Sequence, residues 1–300
     1  MLKKRVYDRV DEIPSGMAHG GITPGCLVLE GGGWKGIYTL GVIDCMLQNG
    51  LNLSSVVGVS AGALSAYGYT AGQIGWGARI DLTHRHDRNY CGLGALVRDH
   101  GITGFSYLFH DLMRKYPVDQ TRLMDPSRRM AVSATNMLTG EVEYSEKGSC
   151  DLQKAVQASA TVPFISAPVM MGGVPYLDGG CAEKIPFGWY ERSGEKKAVV
   201  VRTRELSFRR KPGVPGITRW MYRKYPKFVE SFEKANEQFN YTADLLEKKA
   251  GEGEIFLIAP SEPVTVKRFD GDLDKLAALY WLGHRDMENN LEALKRYLEV

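Results

Sequence analysis

The sequence predicts an α/β layered fold, a mainly parallel central sheet flanked by helices, on three observations. Short apolar runs alternate with helical patterns along the first two thirds of the chain. Two of those runs end in glycine-rich turns that lead straight into a helix. A third, Ala198 to Arg202, is apolar and β-branched in the way of a strand buried on both faces. With 300 residues, 44% of them hydrophobic and 24% charged, the chain can bury a sizeable core as one large domain or a domain with an appendage.

Cys26 to Glu30 (CLVLE) reads as a strand that stops at three glycines, after which Ile37, Leu40, Ile43, Met46 and Leu47 recur at helical spacing. The unit then repeats: Leu53 to Val57 is apolar, Gly58 to Gly62 is a tight turn, and Ala61 to Thr70 is rich in small helix-compatible residues. Arg129 to Asn136 and Glu141 to Ser145 flank a Leu-Thr-Gly turn and read as a hairpin. Leu152 to Ser159 is a short helix that ends before Val162-Pro163. Val169 to Met171 and Val174 to Leu177 flank Gly172-Gly173 as a second hairpin, placing Asp178 at a strand end. Ile185 to Ser193 reads as helix, and the tail as amphipathic helices near 217–248 and 272–298 around one strand, Ile255 to Ala259. No internal repeat or low-complexity segment interrupts the pattern.

A formal charge of +3 is too small to imply a polyanionic partner for the whole molecule. Five widely spaced cysteines without a C-x-x-C pair fit a reducing compartment. Met1 to Gly16 lacks the apolar run of a signal peptide, so a cytoplasmic location is expected. Cys45 to Ala78 is uncharged and long enough to cross a bilayer, yet its asparagines, serines and glycines suit a buried strand, turn and helix better.

Three motifs carry chemistry. Gly58-Val59-Ser60-Ala61-Gly62 has the G-x-S-x-G form of a nucleophile elbow, in which glycines make room for a sharp turn that exposes the serine hydroxyl at a helix start. Gly31-Gly32-Gly33-Trp34-Lys35-Gly36 has on the order of 0.003 chance matches at this composition, so it is the stronger signal. Its consecutive backbone N–H groups can converge on an anion, in an ester hydrolase the tetrahedral oxyanion. Asp178-Gly179-Gly180 offers a carboxylate with open space beside it, and burial would raise its basicity. By itself the tripeptide is better read as an ordinary turn aspartate after a strand.

Other readings stay open on these residues. Gly31, Gly33 and Gly36 also match the dinucleotide fingerprint, although no acidic residue stands about 20 positions further on to hold a ribose. His284 is the one histidine that follows Asp178, the chain order of an α/β-hydrolase triad Ser60-Asp178-His284, but it falls inside a helical pattern. His84, His86 and Asp87 form a polar cluster that reads as a solvated loop rather than a metal site.

The glycine loop, the elbow and Asp-Gly-Gly, in this order and at these separations, resemble the patatin-like phospholipases, in particular their bacterial single-chain branch. The likeness spans about Cys26 to Glu205 and includes Gly41-Val42 and the run Ala158 to Phe164 (ASATVPF). It implies a three-layer catalytic domain over 1–205, with 206–300 as a mostly helical extension packed on it. It also implies a Ser60-Asp178 dyad without a catalytic histidine, an oxyanion hole from Gly31, Gly32, Gly33 and the N–H groups around Ala61, no cofactor or metal, and hydrolysis of acyl esters of glycerolipids. Lys35 stands where many relatives carry arginine. Tyr90 to Pro117, with Leu93, Leu96, Phe105, Tyr107, Leu108, Phe109, Leu112 and Met113, is a candidate wall for an acyl groove.

One further partner is expected. Residues 202–228 hold nine basic residues against Glu205 alone, interleaved with Phe208, Trp220, Tyr222, Tyr225 and Phe228. Ile217, Trp220, Met221 and Tyr225 at helical spacing, with Arg219 and Arg223 beside them, suit peripheral contact with the anionic inner face of a membrane. No recognition motif for nucleic acid accompanies the charge. Oligomeric state is not written in the sequence.

Overall fold

A computed structural model describes residues 5–300. Met1 to Lys4, the start of the stretch judged above for a signal peptide, lie outside the described residues. In chain order the elements that build the site are β1 (Ile22–Leu29), α1 (Ile37–Gln48), β2 (Asn52–Val59), α2 (Ala61–Thr70), β3 (Arg129–Asn136) and β4 (Val142–Glu146). After them come α3 (Leu152–Ser159), β5 (Val169–Met171), β6 (Val174–Asp178), β7 (Ala198–Val201), α4 (Pro226–Gly251), β8 (Phe256–Ile258) and α5 (Leu273–Leu298).

One sheet holds these eight strands, neighbours running β8-β7-β1-β2-β3-β6-β5 with β4 also on β3. The five strands from β8 to β3 are parallel, and the two hairpins join antiparallel. Both faces of the sheet are covered, because successive residues point to opposite sides and both sets are apolar. Leu27, Leu29, Val199 and Val201 pack into the larger core with residues of α1, α2 and α5. Cys26, Val28, Ala198 and Val200 pack instead against Phe187, Trp189, Phe239 and Leu246, which belong to the helix Phe187–Ser193 and to α4. The result is three layers, as the alternating pattern predicts.

The tail is tied into this body. Strand β8 extends the parallel sheet beyond β7, and α5 lies along α1. The crossing is close: an added Cβ at Gly41 would stand 2.0 Å from the Tyr280 carbonyl oxygen, and one at Gly283 would stand 2.1 Å from that of Tyr38. Two buried tyrosines clamp it reciprocally, Tyr38 donating to Asp286 at 3.0 Å and Tyr280 donating to Asp44 at 2.8 Å.

Element types agree with the sequence reading, while two boundaries move at prolines. The helix expected over 217–248 is two helices, a turn at Thr218–Met221 and then α4 starting at Pro226. Proline lacks the N–H of a helix interior and pushes the preceding residue out of helical geometry, so it serves as a first residue only. Likewise the helix expected from Ile185 begins at Phe187, after Pro186. Gly172 and Gly173 have φ of 56° and 82°, the left-handed pair that a tight two-residue hairpin requires. Among the described residues no helix is long and apolar enough to cross a membrane.

Candidate active site

Strand register brings Ser60 and Asp178 together across 118 residues of chain. Parallel strand β2 ends with Val59 opposite Ser133 of β3, and antiparallel strand β6 ends with Asp178 opposite Ala134. Because β4 occupies the other edge of β3 over Ala131 to Thr135, β2 and β6 share one edge and run head-on toward each other. Their last residues meet, and Ser60 Oγ donates to Asp178 Oδ2 at 2.7 Å.

The turn at Ser60 is strained in the manner the elbow motif demands. Ser60 has φ 57° and ψ −122°, a conformation that costs a side-chain-bearing residue about 1–3 kcal/mol. Its neighbours make the turn sterically possible. A Cβ at Gly58 would lie 2.2 Å from the Gly62 carbonyl oxygen, and one at Gly62 would lie 2.4 Å from that of Leu29. One at Gly36 would lie 2.6 Å from the Ala61 Cβ, which is how the glycine loop and the elbow interleave. The Ser60 N–H is held by Ser159 Oγ at 3.0 Å.

The glycine loop contributes donors unequally. Gly31 N–H is engaged by the Lys184 carbonyl at 3.1 Å, so Gly31, expected from the sequence as an oxyanion donor, is a structural contact. Gly32, Gly33 and Ala61 stand at two helix starts where no side chain caps the N–H groups, and these three have no acceptor among the described residues. Gly33 adopts φ 58°, reserved for glycine, with the Arg268 carbonyl pressed against it. Lys35 is buried behind the loop and outside the cavity lining, where burial and the charges of Arg204, Arg268 and Arg210 bring its pKa down to about 8.

Asp178 is fixed on every side. Its backbone N–H donates to Thr161 O at 2.9 Å, its carbonyl accepts from Thr135 Oγ1 at 2.9 Å, and its Oδ1 accepts from Gly180 N–H at 2.7 Å, leaving Oδ2 to the serine. Gly179 is required because its Cβ would lie 2.4 Å from the Ser133 carbonyl oxygen. Gly180 stays small because its Cβ would press on Asp178 Oδ1 at 3.0 Å. Burial raises the carboxyl pKa above the ordinary aspartate value, against the opposing pull of Arg268, Ser60, Gly180 N–H and Lys184. A carboxylate so placed is a better proton acceptor than one in water.

Ser60 and Asp178 open into a cavity of about 490 Å³, the size of an ordinary small-ligand site. Its apolar wall includes Leu40 of α1, Leu64 of α2, and Trp76, Ile80, Phe105 and Leu108. Of the residues expected in 90–117 to wall a groove, Phe105 and Leu108 do so, whereas Leu93 and Leu96 point outward and Leu112 lies in the core. Three cations also line the cavity, Lys184, Arg210 and Arg268, and no motif marks them in the sequence. Ser159 and Thr161, which position the nucleophile and Asp178, belong to the run Ala158 to Phe164 and were legible only through the resemblance.

Several other expectations separate from the site. His284 lies on α5, its Nε2 2.8 Å from Gln48 Oε1 at the far end of α1, and does not line the cavity. Gln48 is eleven residues beyond Ile37, roughly 16 Å along a helix. His84 packs edge-on against Tyr107 and Tyr116, and Tyr107 donates to Asp87 at 2.8 Å. Among the described residues no group of three or more His, Cys, Asp and Glu side chains is arranged to hold a metal. The basic stretch 202–228 is not a single charged face. Arg202 is fully buried and donates to Glu30 at 3.0 Å, Arg209 is paired with Asp244 and Glu247, and Arg219 is paired with Glu233. Tyr222 and Phe228 are buried, whereas Ile217, Trp220 and Met221 remain exposed.

Comparison with known proteins agrees with this geometry. A family model described as a domain of unknown function (DUF6363) matches residues 225–299. The chain is 25% identical over 272 residues to the uncharacterized protein YjjU of Escherichia coli (strain K12), covering 85% of this chain and 76% of that one. It is 23% identical over 199 residues to the probable lipid hydrolase 463L of Invertebrate iridescent virus 6, covering 57% of this chain and 66% of that one. The crystal structure of VipD from Legionella pneumophila superposes with a TM-score of 0.50 at 16% identity, covering 93% of this chain and 68% of that one, a likeness of fold. The model described as patatin-like phospholipase matches residues 27–188, the span from β1 past Asp178 that contains the glycine loop, the elbow and Asp-Gly-Gly, and the chain belongs to that family.

Proposed function

We propose that this chain is a serine acyl hydrolase that cleaves acyl esters of glycerolipids, a phospholipase A or lysophospholipase, through Ser60 and Asp178. The observation that carries the reading is the 2.7 Å hydrogen bond from Ser60 Oγ to Asp178 Oδ2 at the base of a largely apolar cavity. As Ser60 Oγ attacks the acyl carbonyl carbon, its proton passes to Asp178 Oδ2. The carbonyl oxygen becomes a tetrahedral oxyanion facing the free N–H groups of Gly32, Gly33 and Ala61, with the α2 N-terminus adding its dipole. Collapse expels the glycerol-side alkoxide, which takes the proton from Asp178. Water then attacks the acyl-serine with Asp178 again as base, releasing the fatty acid and restoring Ser60.

No histidine is needed, because Asp178 is buried and its second oxygen is tied to Gly180 N–H, which fixes the orientation that a histidine would otherwise provide. Replacing Ser60 by alanine is expected to abolish hydrolysis of a soluble acyl ester in a folded protein, and a fluorophosphonate probe to label Ser60 alone, read by peptide mass mapping. Full turnover by the alanine variant would end the enzyme reading.

Access to lipid is assigned to the neighbourhood of the short helix Thr218–Met221, at the membrane's anionic inner face. Ile217, Trp220 and Met221 are 52%, 66% and 40% exposed there, with Arg223 and Lys224 next in sequence. Such a patch is the size of an interfacial foothold rather than an anchor. In vesicle flotation, replacing Trp220 by serine and Arg223 and Lys224 by glutamine is expected to weaken binding to phosphatidylglycerol-rich liposomes several-fold. Equal binding by that variant removes the patch from the proposal.

A further inference from the structure

None of the cations that line the cavity forms a salt bridge among the described residues. Lys184 is 9% exposed, and its Nζ donates to Gly180 O at 2.6 Å, while its carbonyl accepts from Gly31 N–H. The residue therefore bridges the Asp-Gly-Gly turn and the glycine loop while lining the same cavity as Ser60. Arg210 reaches the same cavity with its guanidinium stacked on Phe239 at 4.6 Å, its backbone held by Asn240, and its buried Nε without a partner. Arg268 enters from the loop before α5, held by the bond from Trp34 N–H to its carbonyl, and no side-chain acceptor for it exists among the described residues.

Lys184 and Arg210 feel the neighbouring charges. Lys184 has its pKa brought down to about 8, chiefly by burial and then by Arg210, against Cys181 and Asp178, and Arg210 is lowered by burial and by Arg268, Arg204 and Arg202 against the pull of Glu30. Two acids line the cavity: Asp178 is bound to Ser60, and Asp81 accepts from Tyr90 OH at 2.7 Å. Glu30, the acid behind the wall, gives Oε2 to Arg202 and Thr203 N–H, keeps Oε1 without a partner, and lies outside the cavity lining. Lys184 is buried, Arg210 is half-buried with its Nε an orphaned donor, and Arg268 stands at the rim; a bound anion is the usual compensation for cationic donors so placed.

We propose that Lys184, Arg210 and Arg268 form a phosphate subsite, so that the substrate is a glycerophospholipid with an anionic head group, a phosphate monoester rather than a zwitterionic choline ester. This rests on the hydrolase reading above and narrows it. In a glycerophospholipid the phosphate sits on the same glycerol as the acyl esters, one or two carbons away. An ester carbonyl over Ser60 thus carries its phosphate into the cationic wall. An added ammonium finds no free carboxylate among the cavity residues.

The test uses Ser60→Ala protein, titrated calorimetrically below micellar concentrations with dihexanoylphosphatidic acid, dihexanoylphosphatidylcholine and inorganic phosphate. Phosphatidic acid is expected to bind about tenfold or more tightly than phosphatidylcholine, the preference weakening with salt. Arg268→Gln, at the exposed rim where folding is least at risk, and Arg210→Gln, checked by its melting curve, are each expected to cut that preference to about threefold or less. The same ratio is expected in kcat/KM of the enzyme carrying Ser60. Equal binding of the two lipids, or a preference that survives both substitutions, overturns the subsite. Inorganic phosphate binding as tightly as phosphatidic acid overturns the lipid assignment and leaves a free-anion site. Preferential binding of phosphatidic acid together with absent turnover of either lipid by the Ser60 enzyme would sink the hydrolase reading and leave the subsite standing.

Discussion

The stretch 27–188 and the stretch 202–300 obey different rules of legibility. In the first, each functional residue sits in a turn whose chemistry is local. Gly58 and Gly62 are there because no Cβ fits, Ser60 takes a left-handed φ because the turn requires it, and Asp178 closes a hairpin made by Gly172-Gly173. In the second, the same residue types serve partners far away in the chain. Arg202 answers Glu30 across 172 residues, and Arg209 answers Asp244 across 35. Composition alone made these charges look like one patch for contact with an anionic membrane. The difference teaches that a motif is readable when its steric demand is met by its own neighbours.

The strongest way to break the comparison is to ask whether catalysis needs a histidine from the tail. Asp178→Asn keeps the shape but has one acceptor oxygen for the bonds from Gly180 N–H and Ser60 Oγ and cannot take the serine proton, so kcat is expected to fall by about two to four powers of ten. His284→Ala removes the contacts to Gln48 and the Trp281 ring, both away from the cavity, and activity is expected to stay within about twofold. A folded but inactive His284→Ala protein would move the chemistry into the second stretch and restore a triad. The measurement is steady-state turnover of a soluble acyl ester, with circular dichroism as the control for folding.

A smaller effect, on stability, probes how the tail is bound to the body. In an exposed helix Gly→Ala stabilises by about 0.5–1 kcal/mol, because alanine loses less backbone freedom on folding. At Gly283 the sign is expected to reverse, since the new Cβ would stand 2.1 Å from the Tyr38 carbonyl oxygen on α1. Forcing the helices apart also strains the reciprocal bonds Tyr38 to Asp286 and Tyr280 to Asp44. A loss of about 1–3 kcal/mol in urea unfolding is expected. A stabilised variant would mean that α5 does not lie on α1 at this separation.

The fold class and the order of elements were legible because short apolar runs that stop at glycines and a period of 3.6 leave distinct marks, as at Cys26 to Glu30 and Ile37 to Leu47. Ser60, Asp178 and the glycines were legible for the local reasons given. Four things were not. The head-on meeting of β2 and β6 along one edge of β3 is a matter of register between distant strands. The engagement of Gly31 N–H by Lys184 depends on a backbone approach that leaves no trace in residue type. Gly41 marks a helix crossing only once its partner Gly283, far along the chain, is in place. Arg210 and Arg268 look like any arginines until the chain has folded around the cavity, and it is through them that the second stretch reaches into the first.

That reach has a consequence for pH dependence, the smallest of the expected effects and the one that best sharpens the comparison. Asp178 must be ionised to act as base, so kcat/KM is full above its pKa and falls as pH drops through it. Burial raises that pKa from the ordinary 3.8, so the acid limb lies on the alkaline side of a normal aspartate. The influence that most opposes burial is the charge of Arg268, ahead of the Ser60 hydroxyl, Gly180 N–H and Lys184. Cys181, the other titratable neighbour, has its thiol pushed up by burial and stays neutral throughout. Lys184 loses its proton only near pH 8, well clear of the acid limb. Arg268→Gln therefore removes the main stabiliser of the carboxylate, and the acid limb is expected to move to higher pH. A phosphate-free ester such as p-nitrophenyl butyrate should be the substrate, so that head-group binding does not enter. Because Arg268 is at the exposed rim, salt should screen its charge and move the limb of the unsubstituted enzyme in the same direction, with less movement in the variant. Superimposable profiles for the two proteins at low salt would show that the 202–300 stretch leaves the chemistry of 27–188 untouched.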